Sequence, residues 1–224
     1  MAYSHRAATA QGNATGGALT VTAPTGLTNG DLIIVAGYLE NDTNTWASVG
    51  AGFTQAVSVT NTGLFTMVIW WKWASSEPGT WTWTPTTSNF RNVITAATRV
   101  SSGSGNPFDV SGTNQGDGVA IGSQTAPSVT TTASNDVLIF AYSNFSGSTM
   151  TTATGAATGI RAGIGGTYIV DNQNIATPSA TGTSAPSAGS ISTEDFGAIH
   201  AAFFLTGVAS GLGAGKRVMS LGFG

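Results

Sequence analysis

Few residues in this chain have the type and spacing that chemistry needs. Two acidic pairs come first, Glu40/Asp42 and Glu194/Asp195. Side chains alternate across an extended strand, so Glu40 and Asp42 would share a face, as the paired carboxylates of a glycosidase must. Both sit beside Asn and Thr at what reads as a strand end, where acids are ordinarily solvated. "ENDTN" and "DNQN" offer oxygen ligands, but neither has the spacing of a calcium-binding loop. His200 lies in "AIHAAFFL", and no Gly-x-Ser-x-Gly nucleophile elbow exists for it to serve. It reads as a strand histidine at a packed or inter-subunit face, and His5 as a solvated one. "GLGAGKR" lacks the first glycine of a phosphate loop and has Arg217 where Ser or Thr should follow Lys216. With no cysteine, thiolate metal sites, thiol nucleophiles and disulfides are excluded together. The expectation is a non-enzymatic protein with no cofactor and no metal.

Aromatic residues are the other candidates. The stretch "WWKWASSEPGTWTWTP", residues 70 to 85, holds five of the six tryptophans. Alternation puts Trp71 and Trp73 on one face and Trp70 on the other, with Trp81 and Trp83 together. A two-residue turn at Pro78-Gly79 joins Trp70 to the Trp81/Trp83 face. One more loop residue joins Trp71 and Trp73 instead, and because tight hairpins prefer primed turns the longer loop is favoured. Either way one set must face a core. Burying a Trp removes about 150–250 Å² of surface, worth several kcal/mol at about 25 cal/mol per Å². The tryptophans therefore read as an aromatic core layer. If the opposite face is open, Trp46, Trp81 and Trp83 are the glycan-contact candidates.

Composition narrows the partners. Hydrophobic residues make up 41% of 224, enough for a core, since chains of this size bury about 70% of the surface their unfolded state exposes. Charged residues are only 8%, against roughly 25% in ordinary soluble domains. The surface must then be mostly Ser, Thr, Asn and Gly, a covering with little electrostatic repulsion that suits dense packing against neighbours. The formal net charge is -3, and Lys216–Arg217 is the only adjacent basic pair, so no nucleic-acid partner is expected. No apolar run is long enough to span a membrane, and "MAYSHRAATAQGNATGG" has no apolar h-region of a secretory signal.

The elements that must position these residues are strands. "ALTVTAP" alternates apolar and polar residues, whereas "DLIIVAGYL" is continuously apolar and fits a strand buried on both faces. "GFTQAVSVT", "LFTMVIWWKWA", "TWTWTP" and "RNVITAATRV" follow between turn signals, rich in β-branched and aromatic residues. "NVITAATRV" and "AIHAAFFL" are read as strands rather than helices. Residues 1–17 read as an N-terminal arm, 18–206 as a β-sandwich, and 207–224 as a C-terminal arm. Residues 101–118 read as a loop or linker, and 144–159 and 171–190 as low-complexity loops. "TNGDLIIVAGYLEN" matches "ASNDVLIFAYSNFS" with Asp31 and Asp136 105 positions apart, and Ile94 and Ile199 repeat that spacing. Equal spacing of matched strands suggests a division of the sandwich into two related halves, about 18–110 and 119–206.

"GDLIIVAGY", "WWKWASSEPGTWTWT" and "ITAATRVSSGSGNPFD" together resemble an arrangement in bacteriophage virion proteins and related phage-derived bacterial proteins. The matching positions are Gly30–Leu32, Lys72–Ala74, Glu77–Gly79 in a hairpin with Trp81–Thr84, Ala97–Arg99 and Pro107–Asp109. The resemblance implies an all-β, antiparallel, jelly-roll-like sandwich on the outside of a phage particle, as head decoration, head fibre or tail-associated protein. It also implies a virion location, a homo-oligomer such as a trimer, and partners among major capsid or tail subunits. The C-terminal arm supplies docking candidates: Lys216, Arg217, Val218, Met219, Leu221 and Phe223. The alternative is a carbohydrate-binding or host-surface adhesion module on the same fold, with a glycan partner.

Overall fold

Strand β3 (Leu32–Glu40) carries apolar side chains on both faces, so it is stable only with a layer packed against each. The computed structural model supplies both layers. It describes residues 4–13, 17–41, 43–87, 91–99, 105–120, 125–144, 150–155, 159–164, 167–175, 177–188 and 193–204. Among these there is no helix, and every strand pairing is antiparallel.

β3 is the centre of a five-stranded sheet with β1 (Ser4–Asn13), β5 (Thr54–Asn61), β6 (Phe65–Trp73) and β8 (Arg91–Arg99), in the order β1-β8-β3-β6-β5. One face carries Ile33, Val35, Val68 and Trp70. These pack against Leu19, Val21, Trp81 and Trp83 of a small sheet, β2 (Leu19–Thr22), β7 (Thr80–Pro85) and β4 (Trp46–Ser48), in the order β2-β7-β4. The other face carries Leu32, Ile34, Tyr38, Phe65 and Met67, which join Val137, Ile139, Ile199 and Phe203 of the second half in a shared core.

The second half repeats the first. Its strands are β9 (Phe108–Ala120), β10 (Asp136–Asn144), β11 (Met150–Gly155), β12 (Gly159–Ile164), β13 (Thr167–Ile175), β14 (Ser184–Ala188) and β15 (Thr193–Phe204). Its large sheet runs β9-β15-β10-β13-β12, the same order as β1-β8-β3-β6-β5. β14 pairs with β11 as β7 does with β4, and the isolated Ala126–Ser184 bridge stands where β2 stands in the first half. The halves also pack reciprocally: β5 lies against β9 and β15, and its counterpart β12 against β1 and β8. Reciprocal contacts of this kind are those of a two-fold interface. Both central strands are entered through a left-handed residue, Gly30 (φ 89°) before Asp31 and Asn135 (φ 65°) before Asp136. Glycine and asparagine are the residues that tolerate this conformation.

Four sequence expectations are corrected. Residues 4–13 are not an arm but edge strand β1, because the polar segment completes the ladder of β8. The expected linker 101–118 contains most of β9, which does the same for β15. Each half therefore begins earlier in its repeat than the proposed 18–110 and 119–206 boundaries, at β1 and β9. Strands β11, β13 and β14 occupy parts of the segments read as loops. Finally, the "SSEPG" segment is not a hairpin: β6 pairs with β3 and β5, β7 with β2 and β4, and the connection crosses from one sheet to the other. The residues of the C-terminal arm, 207–224, lie outside the described residues.

Candidate functional site

Crossing between sheets decides what the tryptophans do. Trp70 from β6 and Trp81 and Trp83 from β7 point into the same space and are all buried, Trp83 at 0% exposure. Trp70 and Trp83 have centroids 6.3 Å apart, and Phe53 lies 5.3 Å from both Trp81 and Trp83. Gly37 makes room for this layer, since a Cβ there would lie 2.4 Å from Trp70 Cζ3. Trp71 and Trp73 face the other way and flank the shared core. Trp73 Nε1 donates to the Gly105 carbonyl at 2.8 Å. The core reading of the tryptophans is what the structure shows, and Trp81 and Trp83 are withdrawn as glycan contacts because neither ring is accessible.

Glu77 anchors the crossing. Its Oε2 lies 2.8 Å from Lys72 Nζ and accepts from Trp81 Nε1 at 3.1 Å, while Oε1 accepts from Ser75 N–H at 2.9 Å. Lys72 also donates to the Ala51 carbonyl and sits 5.4 Å from the Phe53 ring centroid. This pair is structural: it satisfies the one polar atom of Trp81 and fixes the loop that carries β7.

Trp46 is different, being only half-buried. It meets Trp70 edge-to-face at 5.7 Å and lines a surface groove of about 280 Å³ with Val68, Gln55, Ser58 and Thr66. The groove has indole walls, an apolar floor and neutral hydrogen-bonding side chains, and no charged residue lines it.

The small sheet has a distinct outer surface. Thr20 and Thr22 of β2 and Thr80 and Thr82 of β7 are exposed, with Thr20 opposite Thr82 and Thr22 opposite Thr80. Their strand neighbours Leu19, Val21, Trp81 and Trp83 point inward. Period-2 alternation thus produces a hydroxyl-bearing face without charge directly above an aromatic layer.

The charged groups with described partners are used inside the fold. In the first half Arg6 bulges out of β1, between the pairs His5–Thr98 and Ala7–Ala97. Its Nε lies 2.6 Å from Oδ2 of the buried Asp31, which also accepts from Thr28 N–H at 2.8 Å. In the second half the matching bulge falls between Phe108–Phe203 and Val110–Ala202, and its residue is Asp109. Asp109 accepts from Thr132 N–H at 2.7 Å, from the Thr132 hydroxyl and from Ala133 N–H at 3.2 Å. Burial works to raise its pKa, but these bonds outweigh burial and hold it below the ordinary value. Its neighbour Asp136, the counterpart of Asp31, is fully buried with no donor to either carboxylate oxygen. Burial first, and the Asp109 charge second, push Asp136 up to about 7.

His200 is fully buried, stacks on Phe140 at 4.1 Å and has Nδ1 2.8 Å from the Pro127 carbonyl. Burial pushes it down to about 4, against the effect of the carbonyl. It is a neutral packing histidine, held between β15 and the segment that covers its sheet. Glu40 ends β3 partly buried. Asp42 lies outside the described residues, as do the side chains of His5, Glu194 and Asp195. Of the candidate docking residues, Lys216, Arg217, Val218, Met219, Leu221 and Phe223 lie outside them too. Among the described residues no group of three or more His, Cys, Asp or Glu could hold a metal ion, and no helix is long and apolar enough to cross a membrane. Comparison with protein-family models, with curated proteins and with solved structures finds no match in any of the three.

Proposed function

We propose that the chain is a non-enzymatic structural protein of a phage particle, decorating or cementing a capsid or tail through surface contact. The two halves are then jelly-roll-like sandwiches, each a large sheet over a small one, fused back to back. The observation that carries this reading is the exposed threonine face of β2 and β7. It is neutral and regular, and it is backed by a packed aromatic layer that keeps it rigid. Such a face loses little conformational freedom on docking, which is what limits affinity when surface is buried. The virion setting rests on the motif resemblance, and the C-terminal arm provides a second contact in that setting. The test is particle composition. Particles purified from the strain that carries the gene should contain this chain in a fixed ratio to the major capsid or tail subunit. Substitution Thr82→Lys, at an exposed position, should leave the fold intact and remove the chain from particles. A chain absent from purified particles refutes the proposal.

A second reading has its own observation, the Trp46 groove. An indole wall with neutral amide and hydroxyl groups suits a neutral saccharide, which needs a stacking surface and uncharged hydrogen-bond partners. A Trp46→Ala variant should stay folded and lose glycan binding. If a panel of neutral glycans leaves wild-type tryptophan fluorescence unchanged, this reading is wrong.

A further inference from the structure

The two halves place a charged residue of opposite sign at the same bulge, Arg6 paired with Asp31 in one and Asp109 acting on Asp136 in the other. In the first half a guanidinium compensates Asp31. In the second, Asp109 stands where Arg6 does, and Asp136 is left with two buried oxygens and no donor. A buried, uncompensated carboxylate is costly enough that it takes up a proton instead. We propose that the Asp109–Asp136 pair is a proton-operated clasp: one shared proton ties the bulge of β9 to the turn before β10, and loss of that proton loosens this edge.

The surroundings leave the proton as the means of compensation. Asp109 comes from β9, and it is the one charged group shown to act on Asp136. The 130s turn contributes Thr132 and Ala133, both neutral and both already donating to Asp109. In the ladder Asp136 is paired with Ile175 on β13 and Phe204 on β15. Among the described residues no Lys, Arg or His is paired with it. Asp109, held ionised by its three bonds, is the acceptor, and Asp136 is the carboxylic acid that donates. The direction of the effect follows from linkage. The folded state holds this proton to higher pH than the unfolded chain does, so the stability it confers is present in acid and lost as pH rises toward about 7. In the first half the Arg6 guanidinium, not a proton, faces the buried carboxylate.

The experiment compares wild type with Asp136→Asn, whose amide donates to Asp109 at every pH. Melting midpoints are measured on the full chain from about pH 4.5 to about pH 8.5. Comparing the two proteins removes the contribution of titrating groups outside this pair. The advantage of the variant should widen with rising pH and level off above about pH 7.5. Infrared spectra of wild type give a second readout that does not depend on the variant folding. A protonated carboxylic-acid C=O band should be present in mildly acidic buffer and vanish in the alkaline range. Hydrogen exchange corrected for its intrinsic rate should quicken at 108–112 and 132–136 over the same range. Midpoints that run parallel at all pH values, or a wild-type spectrum without that band in mild acid, overturn the proposal.

Discussion

Arg6 reaches from the bulge of an edge strand to the buried Asp31, with Nε 2.6 Å from Oδ2. The contact closes the first half by fastening β1 to the turn before β3. Removing the cation strands a carboxylate at 0% exposure, and breaking a buried pair from one side costs about 3–5 kcal/mol. Arg6→Met is therefore expected to lower unfolding free energy by roughly 3 kcal/mol, the low end because Arg6 is partly exposed. Urea denaturation checks this. An Arg6→Met/Asp31→Asn double variant should recover much of the loss, since no buried charge is then left unpaired.

How much of this was legible in the sequence follows from the range of each interaction. The apolar run of β3 announced a strand covered on both sides, because period-2 patterning is local. The correspondence of Asp31 with Asp136 was legible too, since both follow a polar turn and precede an apolar run. The exchange of Arg6 for Asp109 was not. Their equivalence depends on a bulge in each edge strand, and a bulge breaks the constant spacing by which repeats are recognised. β1 was hidden for a related reason: "SHRAATAQGN" has no apolar alternation, and it is a strand because β8 offers it a ladder. The tryptophan layer was foreseen as core, but by way of a hairpin that does not form. Trp70 shares a face with Trp81 and Trp83 because two sheets bring them together, which no turn-parity argument can reveal.

Gly37 provides the second prediction. An added Cβ would sit 2.4 Å from Trp70 Cζ3 and 2.7 Å from Cη2, and the indole is boxed in by Trp46 and Trp83. Overpacking of this kind costs about 1–3 kcal/mol. Gly37→Ala should lower the denaturation midpoint and alter the near-ultraviolet circular dichroism of the tryptophans. The Trp46 groove should change shape with it, as Trp70 lines that groove.

His200 makes a contribution to stability that depends on pH. Folded, it takes a proton only near pH 4, whereas in the unfolded chain it does so at about 6.5. The unfolded state therefore binds more protons between these values, and this contribution to stability is lost as pH falls through them. His200→Gln is expected to be less stable than wild type at neutral pH, through the altered bond to Pro127. The gap between wild type and the variant should also narrow as pH falls from about 6.5 to about 4.5. Denaturation midpoints at the two ends of that range read both effects. An equal slope in the two proteins would show that His200 does not titrate as its burial requires.

Two matched halves form one unit through the core between their large sheets. This can be tested without altering the protein, because all six tryptophans lie in the first half, between residues 46 and 83. Tryptophan fluorescence thus reports from the first half and its face of the shared core, while far-ultraviolet circular dichroism follows the strands of both halves. Coincident denaturant transitions by the two probes, as a two-state unit gives, are the result expected. A circular dichroism transition with a separate phase that the tryptophans do not share would contradict the account.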